Sequence, residues 1–143
     1  MTVKQFSVFI ENRKGSLAEI LHLLSRHGVE LRALSIADTT DFGVLRFITS
    51  NNDAARAALR QDDQVFSEND VIAALMTDEP GGLAGVLQFL ADHDVDVEYI
   101  YAFVVKSGVS ACVIIRANDN DRAQQVLEER GIRLISQAEI DSF

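Results

Sequence analysis

The hydrophobic pattern of this 143-residue chain occurs twice. Each copy begins with an apolar run typical of a strand, residues 3–10 and 71–77. Each then passes through a glycine-containing loop into apolar positions spaced as on one face of a helix. Those positions are Leu17, Ile20, Leu21 and Leu24 in the first copy and Leu83, Val86, Leu87 and Leu90 in the second. A fixed-period repeat indicates two copies of one supersecondary unit.

The rest of each copy predicts two strands, a second helix and a closing strand. In the first copy these are strands 29–37 and 44–49, helix 54–60 behind the caps Asn51 to Asp53, and strand 64–67. In the second they are strands 95–105 and 109–116 around a turn at Lys106, Ser107 and Gly108, helix 118–129 and strand 132–136. No full element is predicted for residues 137–143. Each half therefore has the order β-α-β-β-α-β, which is that of the ferredoxin-like plait.

The predicted fold class is α+β, with two ferredoxin-like plaits packed side by side. Glu68, Asn69 and Asp70 form the only polar break between the halves, so we expect domains at residues 1–68 and 69–143. With so short a connection the two plaits should be held in a fixed relation.

Composition excludes several classes of partner. The formal net charge of −9 and the pI of about 4.7 disfavour nucleic acid and anionic membrane surfaces, which bind through Lys and Arg. No secretory signal pattern and no apolar run of about 18 residues occurs, so a soluble cytoplasmic protein is expected. The single cysteine, Cys112, is predicted to be a buried apolar residue.

Catalytic and metal-binding patterns are missing from the sequence. The histidines His22, His27 and His93 form no metal-ligand pair, and no serine is placed beside a histidine base. The polar run 118–121 is better interpreted as a helix cap than as a calcium loop. We therefore expect neither an enzyme nor a bound cofactor.

The two glycine loops carry the candidate binding chemistry. Each opens a helix, where unpaired backbone N–H groups attract a carboxylate. Ser16 and Glu19 match a capping box at the first helix start. Asp78, Glu79 or Glu98 could hold an ammonium group. The two charges together describe an amino acid, although tight turns that merely cap helices would have the same composition.

The loops also resemble the opening of ACT domains. Residues 10–17 and 76–83 are similar to that family's strand ending in Asn or Asp, followed by Arg/Glu-Pro-Gly, a small residue and Leu. Residues 24–31 and 90–97 resemble its next segment, Leu-x-x-His-x-Val-x-Leu/Val. Lys14 stands where the family usually has Pro. The chain as a whole resembles a stand-alone tandem ACT protein.

The resemblance implies an amino-acid site where two units pair through their second strands into an eight-stranded sheet. The first loop, Asn12, Arg13, Lys14, Gly15, Ser16 and Leu17, would face Glu98, Tyr99, Ile100 and Tyr101. The second loop, Asp78, Glu79, Pro80, Gly81, Gly82 and Leu83, would face Leu31, Arg32, Ala33, Leu34 and Ser35. Because the second strands differ, we expect two non-equivalent sites, or one site and one vestige. The first would favour a polar or cationic side chain such as histidine.

The predicted function is therefore binding of a free amino acid for a regulatory purpose, in a homodimer. One alternative is a regulatory subunit of an amino-acid biosynthetic enzyme, similar to the acetolactate synthase small subunit. A second is an assembly module whose loops bind nothing. A third is a small enzyme on the same plait.

Overall fold

A computed structural model of the chain describes residues 1–38, 40–77, 79–103 and 110–142, without the side chains of Phe103 and Ser110. These residues form seven strands and five helices. In chain order they are β1 (Val3–Glu11), α1 (Ser16–Arg26), β2 (Leu31–Asp38), β3 (Phe42–Thr49), α2 (Asn52–Gln61), β4 (Phe66–Thr77), α3 (Gly82–Asp92), β5 (Val97–Phe103), β6 (Ser110–Ala117), α4 (Asn120–Glu129), β7 (Arg133–Ile135) and α5 (Gln137–Ser142). The turn predicted at residues 106–108 lies outside the described residues. None of the described helices has the length and apolar character to cross a membrane.

The chain divides into two compact units. The N-terminal unit comprises Lys4–Asn69 and takes up the last described residues from Ile140 onward. The C-terminal unit comprises Asp70–Glu139 and takes up Met1–Val3. The domains predicted at residues 1–68 and 69–143, taken as independent units of folding, stay a prediction.

The N-terminal unit has the strand order β4-β1-β3-β2, and β4 enters it with Phe66–Asn69. Strands β1, β3 and β2 pair antiparallel. The rings of Phe6 and Phe47 face each other in this register and stack with centroids 5.2 Å apart. The sheet and the helices α1 and α2 bury one shared apolar core. Its buried members are Phe6, Val8, Ile20, Leu23, Leu24, Val29, Leu45, Phe47, Ala55, Ala58 and Leu59.

The C-terminal unit repeats this arrangement with the order β7-β4-β6-β5. Its strand pairs are antiparallel, with Leu75 opposite Cys112 and Tyr101 opposite Ile114. Helices α3 and α4 contribute to a core without aromatic rings among its fully buried members. That core contains Ile72, Ala74, Met76, Val86, Leu90, Val95, Val113, Ile115, Ala117, Ala123, Val126, Leu127 and Leu134. Two β-α-β-β-α-β units, as predicted, are therefore confirmed.

One strand serves as the end of the first repeat and the start of the second. The prediction of separate strands at 64–67 and 71–77 is wrong, because β4 runs without interruption through Glu68, Asn69 and Asp70. The side chains of Glu68 and Asn69 have partners on α2 and β1. Arg56 donates to both carboxylate oxygens of Glu68 at 2.6 and 2.8 Å, and the Ser7 hydroxyl donates to Asn69 Oδ1 at 2.9 Å. A polar run therefore marked paired strand residues and not a linker.

The chain ends in a helix that the sequence analysis missed. Helix α5 begins after Ser136, whose hydroxyl accepts from the Glu139 N–H at 3.2 Å. Glu139 in turn accepts from the Ser136 N–H at 2.8 Å, which completes a capping box. Ile140 on this helix is fully buried. The Ser-x-x-Glu spacing was the available signal for the helix start.

Two predicted helix caps are confirmed. Asn51 Oδ1 accepts from the Ala54 N–H at 3.0 Å at the start of α2. Asp119 Oδ1 accepts from the Arg122 N–H at 3.1 Å at the start of α4. Each capping oxygen accepts a hydrogen bond from one of the backbone N–H groups that a helix N-terminus leaves unpaired.

Candidate functional site

The first glycine loop connects β1 to α1 through a sharp turn. The Arg13 N–H donates to the Glu11 carbonyl at 2.9 Å, and the Ser16 N–H donates to the Arg13 carbonyl at 3.2 Å. Gly15 is the N-cap of α1 with φ +89°, the left-handed region that glycine adopts most readily. Gly15 has no side chain with which to cap this helix. Because the turn and the helix use the Ser16 and Glu19 amides, the first-turn amides left for an anionic group are those between them.

The capping box predicted for Ser16 and Glu19 is wrong. Because Gly15 occupies the N-cap, Ser16 already lies inside the helix and cannot cap it. Ser16 is only 6% exposed. Its hydroxyl is buried and has no hydrogen-bond partner within the part of the chain that the structure describes.

Arg13 instead engages Glu19 and Glu11. Its guanidinium donates to the two oxygens of Glu19 at 2.7 and 3.2 Å and to Glu11 at 3.2 Å. Hydrogen bonding and charge from Arg13 lower the pKa of Glu19, and the same bonds raise the pKa of Arg13. All three side chains are more than half exposed, so the bridge orders the loop surface more than it stabilises the fold.

Two cavities flank this loop within the N-terminal unit. We call the first, of about 290 Å³, the lateral cavity, because it lies between the loop and the turn from α2 to β4. It is lined by Phe9, Ile10, Glu11, Arg13, Ser16, Glu19, Ile20, Asp63, Gln64 and Val65. We call the second, of about 230 Å³, the strand-end cavity. It is lined by Ile10, Glu11, Asn12, Arg13, Ser16, Leu17, Ile36, Asp38 and Gly43.

The structure brings four of the predicted first-loop residues to these cavities. Arg13 and Ser16 line both, whereas Asn12 and Leu17 line the strand-end cavity only. Asn12 also ties the loop to the β2–β3 turn, since its side-chain amide donates to the Thr40 carbonyl at 3.3 Å. Lys14 is exposed and lines neither cavity.

The predicted residues of β2 lie at the edge of the N-terminal sheet. Ala33 is buried, and Arg32 forms an ion pair with Glu30 at 3.5 Å. Leu31 and Ser35 are half-buried, whereas Leu34 is exposed. None of these five residues lines the two cavities described above. The β2 residues that do so are Ile36 and Asp38, further along the strand.

The second glycine loop has the same backbone as the first. The Glu79 N–H donates to the Thr77 carbonyl at 3.1 Å, and the Gly82 N–H to the Glu79 carbonyl at 3.1 Å. Gly81 is the N-cap of α3 with φ +83° and, like Gly15, provides no side-chain cap. Pro80 and Leu83 are exposed, and Asp78 lies outside the described residues.

The second loop differs in what packs around it. A Cβ on Gly82 would lie 2.9 Å from the Thr77 carbonyl oxygen, so a larger residue does not fit without movement. A Cβ on Gly85, one turn into α3, would lie 3.0 Å from the guanidinium of Arg130. Arg130 also lies 5.1 Å over the ring of Phe89. A cation therefore covers the first turns of α3 where the first copy has Glu19.

The predicted residues of β5 lie at the edge of the C-terminal sheet. Glu98 accepts from Arg116 at 3.4 Å. Tyr99 and Tyr101 project from the same face with ring centroids 6.5 Å apart, and Ile100 on the opposite face packs against the core. The facing of either loop by a second strand stays a prediction.

The cysteine and the helix-end histidines have structural explanations. Cys112 is fully buried, and burial raises its pKa to about 12, so the thiol is protonated and unreactive at neutral pH. His27 and His93 each place Nδ1 within 2.9 Å of a carbonyl one turn earlier, on Leu23 and Phe89. Among the described residues no group of three or more His, Cys, Asp or Glu could hold a metal ion.

Two β-α-β-β-α-β units, each with a left-handed glycine at the start of its first helix, define the class of protein as a tandem of ferredoxin-like plaits. The chain belongs to the ACT domain pair family, whose model matches residues 1–143. Membership in this family indicates a regulatory, ligand-binding role.

Solved structures agree with this assignment. Protein BT0572 from Bacteroides thetaiotaomicron is similar at 36% identity and a TM-score of 0.92, over 100% of this chain and 98% of that one. The ligand-free regulatory subunit of aspartate kinase from Thermus thermophilus shares the fold at 17% identity and a TM-score of 0.65, over 88% and 90% of the two chains. No curated protein matches the chain.

Proposed function

We propose that this protein is a non-catalytic regulator that binds a free amino acid at its glycine loops. The observation that carries the proposal is the uncapped helix start behind Gly15, beside a buried Ser16 hydroxyl that has no partner in the described part of the chain. Buried polar groups are nearly always hydrogen-bonded, so an unfilled donor at a helix N-terminus fits a ligand carboxylate. The second loop offers the same uncapped amides behind Gly81.

The ligand would regulate by mass action. Binding to one conformation of the protein stabilises it in proportion to ligand concentration over Kd. A partner is affected only if the ligand binds its two conformations with different affinity. The chain itself need supply no chemistry, which agrees with the inert Cys112.

A thermal-shift screen of the twenty standard amino acids, followed by calorimetry, tests the proposal. The matched variants are Gly15→Asp against Gly15→Asn, and Gly81→Asp against Gly81→Asn. Asn and Asp both tolerate the left-handed conformation, but only Asp adds a charge that repels a carboxylate. Like charges near a surface interact by about 1–4 kcal/mol at contact distance, so each Asp variant should bind roughly tenfold more weakly than its Asn control.

Absence of any thermal shift would contradict the proposal and favour an assembly module that binds no ligand. If each Asp variant shows the same ligand-induced thermal shift as its Asn control, the ligand binds away from the loops.

A role as an enzyme's regulatory subunit, or as a homodimer, is the second candidate. Strand β2 is an edge strand with Leu34 and Ile36 about 45% exposed, and such edges offer unpaired backbone groups to another chain. The Thermus thermophilus protein of similar fold is itself a regulatory subunit, that of aspartate kinase. We expect Ile36→Lys to shift the light-scattering mass toward the monomer, whereas Val65→Lys, at an exposed position off this edge, should not. Co-purification of a catalytic chain that is lost only in Ile36→Lys would identify an enzyme partner.

A further inference from the structure

The lateral cavity has a chemistry of its own. Its walls include the apolar side chains of Phe9, Ile20 and Val65, which can cover an aliphatic chain. Its volume of about 290 Å³ is near the lower end of the range for small-molecule sites, about 300–1,000 Å³. The cavity therefore has room for a molecule of the size of an amino acid.

The charges around the lateral cavity are mainly negative. Three carboxylates, of Glu11, Glu19 and Asp63, line it together with one guanidinium, that of Arg13. Arg13 is already engaged by Glu11 and Glu19. Asp63 follows α2 with φ +52°, and its carboxylate has no ion-pair partner in the part of the chain that the structure describes. An excess of two negative charges favours a ligand that carries positive charge.

One part of the same cavity favours the opposite charge. The unpartnered hydroxyl of Ser16 is buried in the first turn of α1, where the helix dipole is positive. Ser16 lines the lateral cavity together with Glu19 and Asp63. A ligand that satisfies both parts has a carboxylate at one end and a cation at the other.

We propose that the lateral cavity binds an amino acid with a positively charged side chain. Its carboxylate would accept hydrogen bonds from Ser16 Oγ and the first-turn amides of α1. Its side-chain ammonium or guanidinium would lie against Glu19 and Asp63, and its methylenes against Ile20 and Val65. The inference rests on the proposed function and adds to it the ligand class and residues that lie outside the expected loop-to-strand seam.

The C-terminal unit shows why this preference belongs to one loop. At the position of Glu19 it has Gly85, and at the position of Asp63 it has Gly131 with φ +80°. Arg130 approaches Gly85 to within 3.0 Å of a built Cβ. At these two positions around α3 the carboxylates of the first copy are therefore replaced by glycines, with the Arg130 cation beside one of them, which makes the site less favourable for a cationic side chain.

Calorimetry on the full chain with three matched probes tests the inference. The probes are L-lysine, L-norleucine, which lacks only the side-chain ammonium, and 1,5-diaminopentane, which lacks the carboxylate. We expect lysine to bind about five- to tenfold more tightly than norleucine, the range that two exposed ion pairs support. Glu19→Gln and Asp63→Asn should each reduce this preference, and the double variant should abolish it.

Two further variants separate the ends of the ligand. Ser16→Ala should weaken the binding of lysine and of norleucine by the same factor and leave the affinity for 1,5-diaminopentane unchanged. Asp121→Asn, the same kind of substitution on an exposed residue of α4, is the control and should change nothing. Circular dichroism verifies the fold of each variant, which is expected to persist because Glu19 and Asp63 are exposed.

The outcomes distinguish this inference from the proposed function. Equal affinity for lysine and norleucine, or a lysine preference that survives in the double variant, overturns the inference and leaves amino-acid binding intact. Failure of every amino acid to bind overturns the proposed function, and the inference with it.

Discussion

The two glycine loops of this protein share a backbone and differ in their side chains. Gly15 and Gly81 have φ values of +89° and +83°, and the two turns make the same pair of backbone hydrogen bonds. The residues around them have opposite charge, with Glu19 in the first copy and Arg130 over Gly85 in the second. The comparison teaches that the glycine determines the turn, whereas residues one turn further along determine what the loop attracts.

Exchange of the residue that follows each N-cap glycine, Ser16 or Gly82, should have the largest effect on stability. Gly82→Ser gives the second loop the residue of the first, but its Cβ would lie 2.9 Å from the Thr77 carbonyl oxygen. Overpacking of this kind costs about 1–3 kcal/mol. Urea unfolding measures the loss. The reverse change, Ser16→Gly, removes a side chain without a clash and should cost no more than about 1 kcal/mol. Equal losses would show that the two backbones accommodate a side chain equally well.

Replacement of the N-cap glycines should affect the two loops equally. Gly15→Ala and Gly81→Ala each force a Cβ into the left-handed region, which costs roughly 1–2 kcal/mol. Nothing lies within 4 Å of either built Cβ, so backbone strain is the only cause. Urea midpoints of the two variants should fall by the same amount, and Asn at either position should lower them less. A difference larger than the error would mean that the two turns are strained unequally.

Loss of the Arg56–Glu68 ion pair should destabilise only the N-terminal unit. Arg56 donates to both oxygens of Glu68, and both side chains are about three-quarters buried. Hydrogen bonds to charged groups contribute about 1.5–3 kcal/mol, and the glutamine oxygen can still accept one of the two from Arg56, so Glu68→Gln should cost about 1.5 kcal/mol at pH 7. The C-terminal unit has the neutral Gln124 at the position of Arg56. Glu128→Gln on the exposed face of α4 is the control and should have no effect.

The same pair predicts a pH dependence. Hydrogen bonds from Arg56 lower the pKa of Glu68 in the folded protein. The stabilisation from the Arg56–Glu68 pair is therefore complete at a pH above the pKa of Glu68 in the unfolded chain, about 4.3. It is lost as the pH falls through the lower pKa that Glu68 has in the folded protein. Unfolding of the wild type and of Glu68→Gln should differ at pH 7 and converge near pH 2. A difference that persists there would mean that the variant lost packing and not charge.

The smallest effect concerns the first helix-end histidine. The Leu23 carbonyl at 2.9 Å and Gln61 Oε1 at 3.1 Å raise the pKa of His27 above its ordinary value of about 6.5. The stabilisation that protonated His27 contributes is complete at a pH below its ordinary pKa. It is lost as the pH rises through the higher pKa of His27 in the folded protein. A proton NMR titration measures the pKa directly. Gln61→Ala should lower it, and an unchanged pKa would assign the whole shift to the Leu23 carbonyl.

The parts of the fold that follow from local sequence were predictable. Glycines at helix starts and apolar residues at helical spacing identify the two repeats without any long-range information. Strand β4 was misread because Glu68 and Asn69 look like a linker until Arg56 and Ser7 are seen to pair with them. Helix α5 was missed because six residues carry little periodicity, although Ser136 and Glu139 marked its start.

The environment of the first loop depended on tertiary structure. Asp63 lies 44 residues from Glu19 along the chain, and only the return of the chain after α2 brings both to the lateral cavity. Asp63 has the left-handed conformation that Gly131 has at the equivalent position of the second copy, and a glycine there in one repeat was a signal that the sequence offered. The prediction of a capping box at Ser16 and Glu19 was wrong because the backbone turn makes Gly15, and not Ser16, the N-cap. The Ser-x-x-Glu spacing alone does not indicate which residue is the N-cap.

The burial of Ile140 has a consequence for synthesis in the cell. A ribosome makes the N-terminal unit first, and domains commonly fold as they emerge. Here Ile140, a fully buried side chain of that unit, follows the whole of Asp70–Glu139 in the chain. The first-made unit must therefore wait, unfinished, until the second has been translated. A premature stop even a few codons before residue 140 would leave both units present and the older one incomplete.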